Sequence, residues 1–365
     1  MEPNFLKLIE QFTLDGEFQE IDAYGTGHIN DTYKAGFNLN GEARNYILQR
    51  INHHVFKNPE GLMKNIEFVT AHLRKKILES GGDATRETLT LIPTIDGKSY
   101  TKTNEGHYWR AYIFIENACT YEVVKSLDHV YYAGKAFGNF QRLMSDFPPG
   151  QLIETIPGFH NTSKRYKTFI EVVDNDTENH CSSCRSEIEF VNQRAAKTSV
   201  LLDKLIDGQI PARVTHNDAK FDNVMIDNQT GEGICVIDLD TVMPGLSLYD
   251  FGDSIRSMAN PAKEDERDLT KVNFDISVFD QYTRGYLENT HNFLTSEEIE
   301  QLPFSAILMT YECGMRFLTD HLQGDTYFKI HRKNHNLDRC RTQFKLVQDM
   351  EEQYDEMVRI VQKYL

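Results

Sequence analysis

The stretch Val214-Thr215-His216-Asn217-Asp218-Ala219-Lys220-Phe221-Asp222-Asn223, followed by the apolar run Ile234-Cys235-Val236-Ile237 that ends on Asp238, concentrates the residues best suited to chemistry. It sets a His-x-Asp ahead of an Asn five residues beyond the Asp, and an Asp fifteen residues beyond that Asn. Phosphoryl transfer asks little covalent work of a protein. It needs a carboxylate to orient and deprotonate a hydroxyl, oxygen ligands for Mg2+, and cations facing the phosphates. All three kinds of group are present in this stretch. A His-x-Asp alone is equally a turn held by an Asx hydrogen bond, so the weight falls on its combination with Asp238 and on the elements around it.

A second segment, Tyr24-Gly25-Thr26-Gly27-His28-Ile29-Asn30-Asp31-Thr32-Tyr33, lies between two expected strands. Its glycines permit a tight turn and a close approach of backbone N–H groups to phosphate oxygens, although Gly-x-Gly is also ordinary hairpin chemistry. No Gly-x4-Gly-Lys-Ser/Thr occurs in the chain, which argues against a P-loop enzyme.

These segments need elements to hold them. Short β-branched or alternating runs, punctuated by Asn40-Gly41 and Asp96-Gly97, predict strands near 18–25, 30–38, 44–51, 88–93, 98–102 and 107–115. Between them Leu62, Ile66, Val69, Leu73 and Ile77 recur at helical spacing from about Pro59 to Leu78. Beyond about residue 120 the period is helical, broken only by apolar runs at 213–216, 223–227 and 234–239. Thr295 and Glu298 form a capping-box pattern, and Phe344, Val347, Met350, Tyr354, Met357, Val361 and Leu365 line one face of an expected closing helix. The fold class is therefore α+β: a small antiparallel sheet with one helix, residues 1–117, ahead of a larger, mainly helical part, residues 118–365.

With 55 Asp and Glu against 39 Lys and Arg, the formal charge of −16 disfavours nucleic acid and anionic membranes as partners. The amphipathic, acidic start and the lack of a bilayer-length apolar stretch point to a soluble cytoplasmic protein. Six scattered cysteines predict reduced thiols. His180-Cys181-Ser182-Ser183-Cys184 has the spacing of half a zinc site, but no matching second pair lies nearby, and it reads as a polar connector.

The His-x-Asp-x4-Asn and the later Asp resemble the catalytic and metal segments of the protein-kinase-like superfamily, with Lys220 at the place of the catalytic-loop lysine. That resemblance implies a two-lobed fold, ATP and Mg2+. Asp218 would be the catalytic base, Lys220 would face the transferring phosphate, Asn223 and Asp238 would hold Mg2+ with Asp240 assisting, and His216 and Asp250 would support the loop. Gly25 and Gly27 would cover the nucleotide, with adenine beside the Ile113 to Asn117 connector that carries Glu116. The strand lysine of the superfamily is missing, since the chain offers Gln49-Arg50 instead; Arg50 is the candidate phosphate contact and Glu67 its helical partner. More narrowly, Gly27-His28-Ile29-Asn30-Asp31-Thr32-Tyr33, Tyr46-Ile47-Leu48-Gln49-Arg50-Ile51-Asn52, Ile156-Pro157-Gly158-Phe159-His160, Ile237-Asp238-Leu239-Asp240-Thr241-Val242-Met243-Pro244-Gly245 and Arg316-Phe317-Leu318-Thr319-Asp320-His321-Leu322-Gln323-Gly324-Asp325 with Tyr327 resemble the N-acetylhexosamine 1-kinases. These belong to the aminoglycoside phosphotransferase and choline kinase branch.

By that analogy His28, Arg316 and Tyr327 would hold an N-acetylhexosamine between the lobes, for phosphorylation at its anomeric hydroxyl. A Phe of that family's sugar pocket corresponds to Ser257, which leaves the choice between N-acetylglucosamine and N-acetylgalactosamine open. Arg316 has a plainer alternative in an ion pair with Asp320 one turn on, and Tyr327 in half-buried packing. The rival functions are the same machinery acting on an aminoglycoside, choline, homoserine or methylthioribose, and an inactive pseudokinase.

Overall fold

The protein is described by a computed structural model covering residues 5–25, 29–176 and 180–365. A short helix, α1 (Phe5–Ile9), leads into strands β1 (Glu17–Ala23), β2 (Asp31–Leu39) and β3 (Glu42–Ile51), then helix α2 (Pro59–Glu79). Strands β4 (Leu91–Ile92), β5 (Thr101–Lys102) and β6 (Tyr108–Ile113) complete an antiparallel sheet in the order β1-β2-β3-β6-β4, with β5 on the far part of β6. Two of the expected strands, 88–93 and 98–102, shrink to two residues each because each pairs with only part of β6. Asn58 caps α2 by accepting the Gly61 N–H, and Pro59 sits at the first helical position, where its missing N–H costs nothing.

Because strand side chains alternate, the sheet has two distinct faces. Leu48, Trp109 and Ala111 pack with α1 residues Leu8 and Ile9 on one face. Ile51 and Tyr112 lie on the other, in the same core as Leu62, Met63, Ile66 and Val69 of α2. That second core runs on without a break into the helical part.

The chain leaves the sheet after Ile113. Strand β7 (Ala118–Cys119) already pairs with β9 (Val224–Asp227), whose other neighbour is β10 (Gly233–Val236). Between them come α3 (Leu127–Leu143), α4 (Thr162–Asp174), α5 (Arg185–Gln193), α6 (Val200–Ile206) and β8 (Arg213–Thr215). After β10, β11 (Met243–Gly245) pairs antiparallel with β8, and α7 (Ser247–Met258), α8 (Ile276–Thr290), α9 (Ser296–Glu300), α10 (Leu302–Leu322), α11 (His335–Glu352) and α12 (Tyr354–Lys363) follow. The Thr295–Glu298 capping box forms in full at the start of α9. The expected single closing helix is two: the chain bends at Gln353, whose N–H still bonds Asp349 while its side chain reaches the Phe274 carbonyl, and α12 turns to pack on α8.

Helices α3 and α8 meet backbone to backbone. A Cβ placed on Gly285 would collide with the Tyr131 carbonyl, and one on Gly134 with that of Tyr282. This tight pair carries Tyr282, whose hydroxyl bonds Ser254 on α7 at 2.7 Å. We expect Gly285→Ala to destabilise the protein by about 2–3 kcal/mol in urea unfolding, the usual cost of overpacking. Gly150→Ala, where nothing lies within 4 Å of the added methyl, should change stability by less than about 0.5 kcal/mol.

Candidate active site

The loop after β8 is held by one buried carboxylate. Asp250 on α7 accepts the N–H of His216 at 2.9 Å, the N–H of Asn217 at 2.7 Å and the Gln141 amide at 2.7 Å. Asn217 takes the left-handed conformation at φ 64°, which Asn tolerates better than most residues, and its amide bonds the carbonyls of Thr215 and Thr241. His216 donates from Nε2 to the Ile237 carbonyl at 2.8 Å and accepts the Asp218 N–H at Nδ1, which fixes its tautomer. Ser254 Oγ donates to the Ala219 carbonyl at 2.6 Å. The loop and the strand ending at Asp238 are thereby a single hydrogen-bonded unit.

Within that unit Asn223 donates its amide to the Asp218 carbonyl at 2.7 Å and to Asp218 Oδ2 at 3.2 Å. Lys220 Nζ stands 3.1 Å from the same carboxylate oxygen. Burial alone would raise the Asp218 pKa, but the Lys220 ammonium beside it holds it below the ordinary value, so the group stays ionised. Asp218 in turn pushes Lys220 above its ordinary value. Asp238 has φ 59°, a strained conformation for a residue that is not glycine, of the kind found at working sites. Its side chain is open to solvent yet ringed by protein atoms, as on the floor of a cleft; desolvation and then the charges of Asp240 and Asp218 push it up to about 7.

Two expected partners do not meet. Arg50 and Gln49 point to opposite faces of the sheet, and Arg50 is on the outer face, where it pairs with Asp31. Glu67 is exposed on α2 and makes no ion pair with Arg50. The inward residue is Gln49, and directly across from it in the β3–β6 register stands Arg110. Arg110, its side chain only 1% exposed, donates from Nε and Nη2 to Gln49 Oε1 at 2.9 and 2.6 Å, and its Nη1 lies 2.5 Å from Asp240 Oδ1. The N–H vectors miss that oxygen, so the contact is an ion pair without an aligned hydrogen bond. Asp240 Oδ2 accepts the Asn30 amide at 2.6 Å. Asp240, expected as an accessory metal ligand, is thus buried with both oxygens engaged by residues of the sheet region. Sequence reasoning missed Arg110; its only signal there was its place opposite Gln49 in an antiparallel pairing.

At the connector, Ile115, Ala118, Met225 and Cys235 form a small apolar cluster with Leu89, Ile234 and Ile237 around it. Glu116 accepts the Asn45 amide at 2.8 Å, and Gly25 adopts φ 78° at the tip of β1. Gly27 and His28 lie outside the described residues.

The third group centres on α10. Glu312 accepts from His160 Nδ1 at 2.9 Å and Thr162 Oγ1 at 2.5 Å, while His160 Nε2 bonds the Asn217 carbonyl at 2.9 Å. One turn on, Arg316 stacks over the rings of Phe159 and Phe328, 5.3 and 5.5 Å from their centroids. Asp320 does not pair with it. Its oxygens accept the N–H groups of Thr326, Tyr327 and Phe328 and the Asn336 amide, so Asp320 shapes the loop that presents Tyr327, 64% exposed. Burial and the neighbouring Arg316 hold Arg165 down to about 10, which shows how close two guanidiniums stand here. Ser257 bonds the Ser254 carbonyl within α7. Away from these groups, burial pushes the Cys181 and Cys184 thiols up to about 12 and 11, opposite to what a zinc ligand needs. No described helix is long and apolar enough to cross a membrane.

The family model described as the phosphotransferase enzyme family matches residues 23–291, well over half of the chain. The chain belongs to that family. Solved structures similar to this phosphotransferase include a microcompartment-associated aminopropanol kinase at TM-score 0.59 and 14% identity, covering 96% of this chain and 97% of that one. A spectinomycin phosphotransferase in complex with ADP and spectinomycin follows at TM-score 0.56 and 15% identity, covering 100% and 99%. Choline kinase from Cryptosporidium parvum gives TM-score 0.56 and 13% identity over 94% and 92%. At such identities the likeness establishes the fold, which is the kinase-like arrangement of a sheet lobe on a helical lobe.

Glu312 supplies a test of the scaffold. Burial would raise its pKa, but His160, Arg165 and Arg316 bring it from 4.5 down to about 2. A carboxyl depressed in the folded state stabilises the protein above its unfolded pKa and loses that contribution as pH falls. Glu312→Gln should therefore cost on the order of 3 kcal/mol at pH 7. In urea unfolding followed against pH, the deficit should narrow as pH drops from 4.5 toward 2.

Proposed function

We propose that the protein is an ATP- and Mg2+-dependent kinase that phosphorylates the anomeric hydroxyl of an N-acetylhexosamine. The observation that carries this reading is the unit of Asp218, Lys220, Asn223 and Asp238 on one hydrogen-bonded loop and strand. An ionised carboxylate, a cation and two oxygen donors are the groups phosphoryl transfer requires. Asp218, Asp238 and Asp240 crowd negative charge at the cleft floor, raising Asp238, and a divalent cation relieves that crowding. The residues fit Mg2+, which takes one or two protein ligands and fills its remaining positions with water and phosphate oxygens.

Asn223 spends its amide nitrogen on Asp218, which leaves Oδ1 as its ligand atom beside Asp238. When bound, the ion would neutralise charge on the phosphates. Asp218 receives the proton of the acceptor hydroxyl, and Lys220 faces the transferring group. The cluster of Ile115, Ala118 and Met225 gives adenine an apolar seat beside Glu116, and Gly25 begins the covering loop that includes Gly27.

Arg316 and Arg165 stand close together with one carboxylate, Glu312, between the two of them and His160. Guanidiniums placed there can donate to the hydroxyl and carbonyl oxygens of a neutral acceptor, which choline offers far less of. Phe159 and Tyr327 add ring faces of the kind sugars pack against, and His28 is the remaining proposed contact.

Incubation with ATP, Mg2+ and a panel of N-acetylhexosamines, choline, an aminoglycoside, homoserine and methylthioribose, with coupled detection of ADP, should give turnover and a sugar 1-phosphate only with the N-acetylhexosamines. Asp218→Asn should lower that turnover by about 10²- to 10⁴-fold with little change in melting temperature. Undiminished turnover in a folded Asp218→Asn or Asp238→Asn protein would refute the site, and turnover of choline alone would refute the acceptor.

A further inference from the structure

We propose that Arg110 is the phosphate-facing cation of this enzyme, replacing the lysine that β3 lacks, and that Gln49 and Asp240 position its guanidinium. The proposal rests on the nucleotide reading above. Side chains directly opposite in an antiparallel pair project to the same face, so Arg110 shares the cleft face of Gln49, whereas Arg50 does not. Moving the cation to the neighbouring strand displaces its Cα by about 4.8 Å. Gln49 then occupies the vacated position with an acceptor: its Oε1 takes both Nε and Nη2 and draws the guanidinium back over β3.

The counterion has moved as well. On α2 the side chain beside Arg110 is Met63, whose Sδ lies 3.9 Å from Nη1, while Glu60 and Glu67 are exposed. The balancing carboxylate comes instead from Asp240, on the segment that carries Asp238, and Asp238 lies within electrostatic reach of the same guanidinium. Arg110 therefore stands where a cation bridging the sheet lobe and the metal-binding segment must stand. A guanidinium has five N–H donors. Nη2 uses one on Gln49 and keeps a second for an incoming phosphate oxygen, while Nη1 stays beside its counterion Asp240.

The test compares binding of ADP with Mg2+ against binding of adenosine, by calorimetry, because only ADP offers phosphates. Arg110→Met should bind adenosine as the parent does and ADP about 10- to 100-fold more weakly, the loss of one or two charge-assisted hydrogen bonds. Gln49→Lys combined with Arg110→Met, which returns the cation to β3, should recover most of that loss, as no structural role for Arg110 would allow. If the bare Asp240 carboxylate unfolds the single variant, Arg110→Met with Asp240→Asn carries the same comparison, judged against Asp240→Asn alone. ADP affinity unchanged by the loss of Arg110, or ADP and adenosine weakened by the same factor, overturns the proposal. A parent protein that binds neither nucleotide would instead sink the nucleotide reading itself.

Discussion

Two successive backbone N–H groups, those of His216 and Asn217, converge on the carboxylate of Asp250, and the working half of the molecule depends on that convergence. Asn217 is left-handed and reverses the chain, which lets the two successive N–H groups converge as in an anion-binding nest. The reversal aims Asp218 into the cleft and turns the Asn217 carbonyl to His160. Burial pushes the Asp250 pKa upward, a cost that three donors offset. Much of α7, the tyrosines of α8 behind it and the glycine contacts between α3 and α8 serve to keep Asp250 where the loop needs it.

That dependence explains which parts of the site were legible in the sequence. Asp218, Lys220, Asn223 and Asp238 act within one short loop and one strand, so their spacing carries their geometry. Asp250 could be read for a similar reason, since it follows at the start of the next helix. Arg110 could not be read, because its meaning lies in a register: it matters only as the residue opposite Gln49, more than fifty positions away in sequence. The choice between Gln49 and Arg50 turned on strand parity, which a one-residue uncertainty in alignment reverses completely. Asp320 failed as a partner for Arg316 despite ideal helical spacing, because three loop N–H groups at the end of α10 compete for its oxygens more directly than a long, flexible guanidinium does. The element types were largely visible, and the bend at Gln353 was not, since no glycine or proline marks it.

The charge of the chain as a whole misleads about the charge of its site. A surface carrying −16 suggests affinity for cations everywhere. Around the cleft, however, Asp218, Asp238 and Asp240 face Lys220 and Arg110, and the α10 side adds Arg165 and Arg316 against Glu312. The acidic groups are concentrated at the floor, and the guanidiniums to its sides. Such an arrangement draws a divalent ion to the floor and anionic or oxygen-rich groups to the walls, whatever the exterior carries.

On the proposal above, Gln49 and Arg110 together supply what a lysine on β3 would supply alone. An arginine on β6 reaches the same region with a planar fork, takes its orientation from an uncharged amide and its counterion from Asp240. Helix α2 turns a mostly apolar face to the core and spends its one buried amide, Asn65, on the carbonyls of Ile153 and Val242. Several side chains tie the two parts together: Asn65 to Ile153 and Val242, Arg86 to Asp227, Lys76 to Asp146, and Arg110 and Asn30 to Asp240. A phosphate competing for Arg110, as proposed above, would loosen one of these ties while the others keep the sheet in register with the loop.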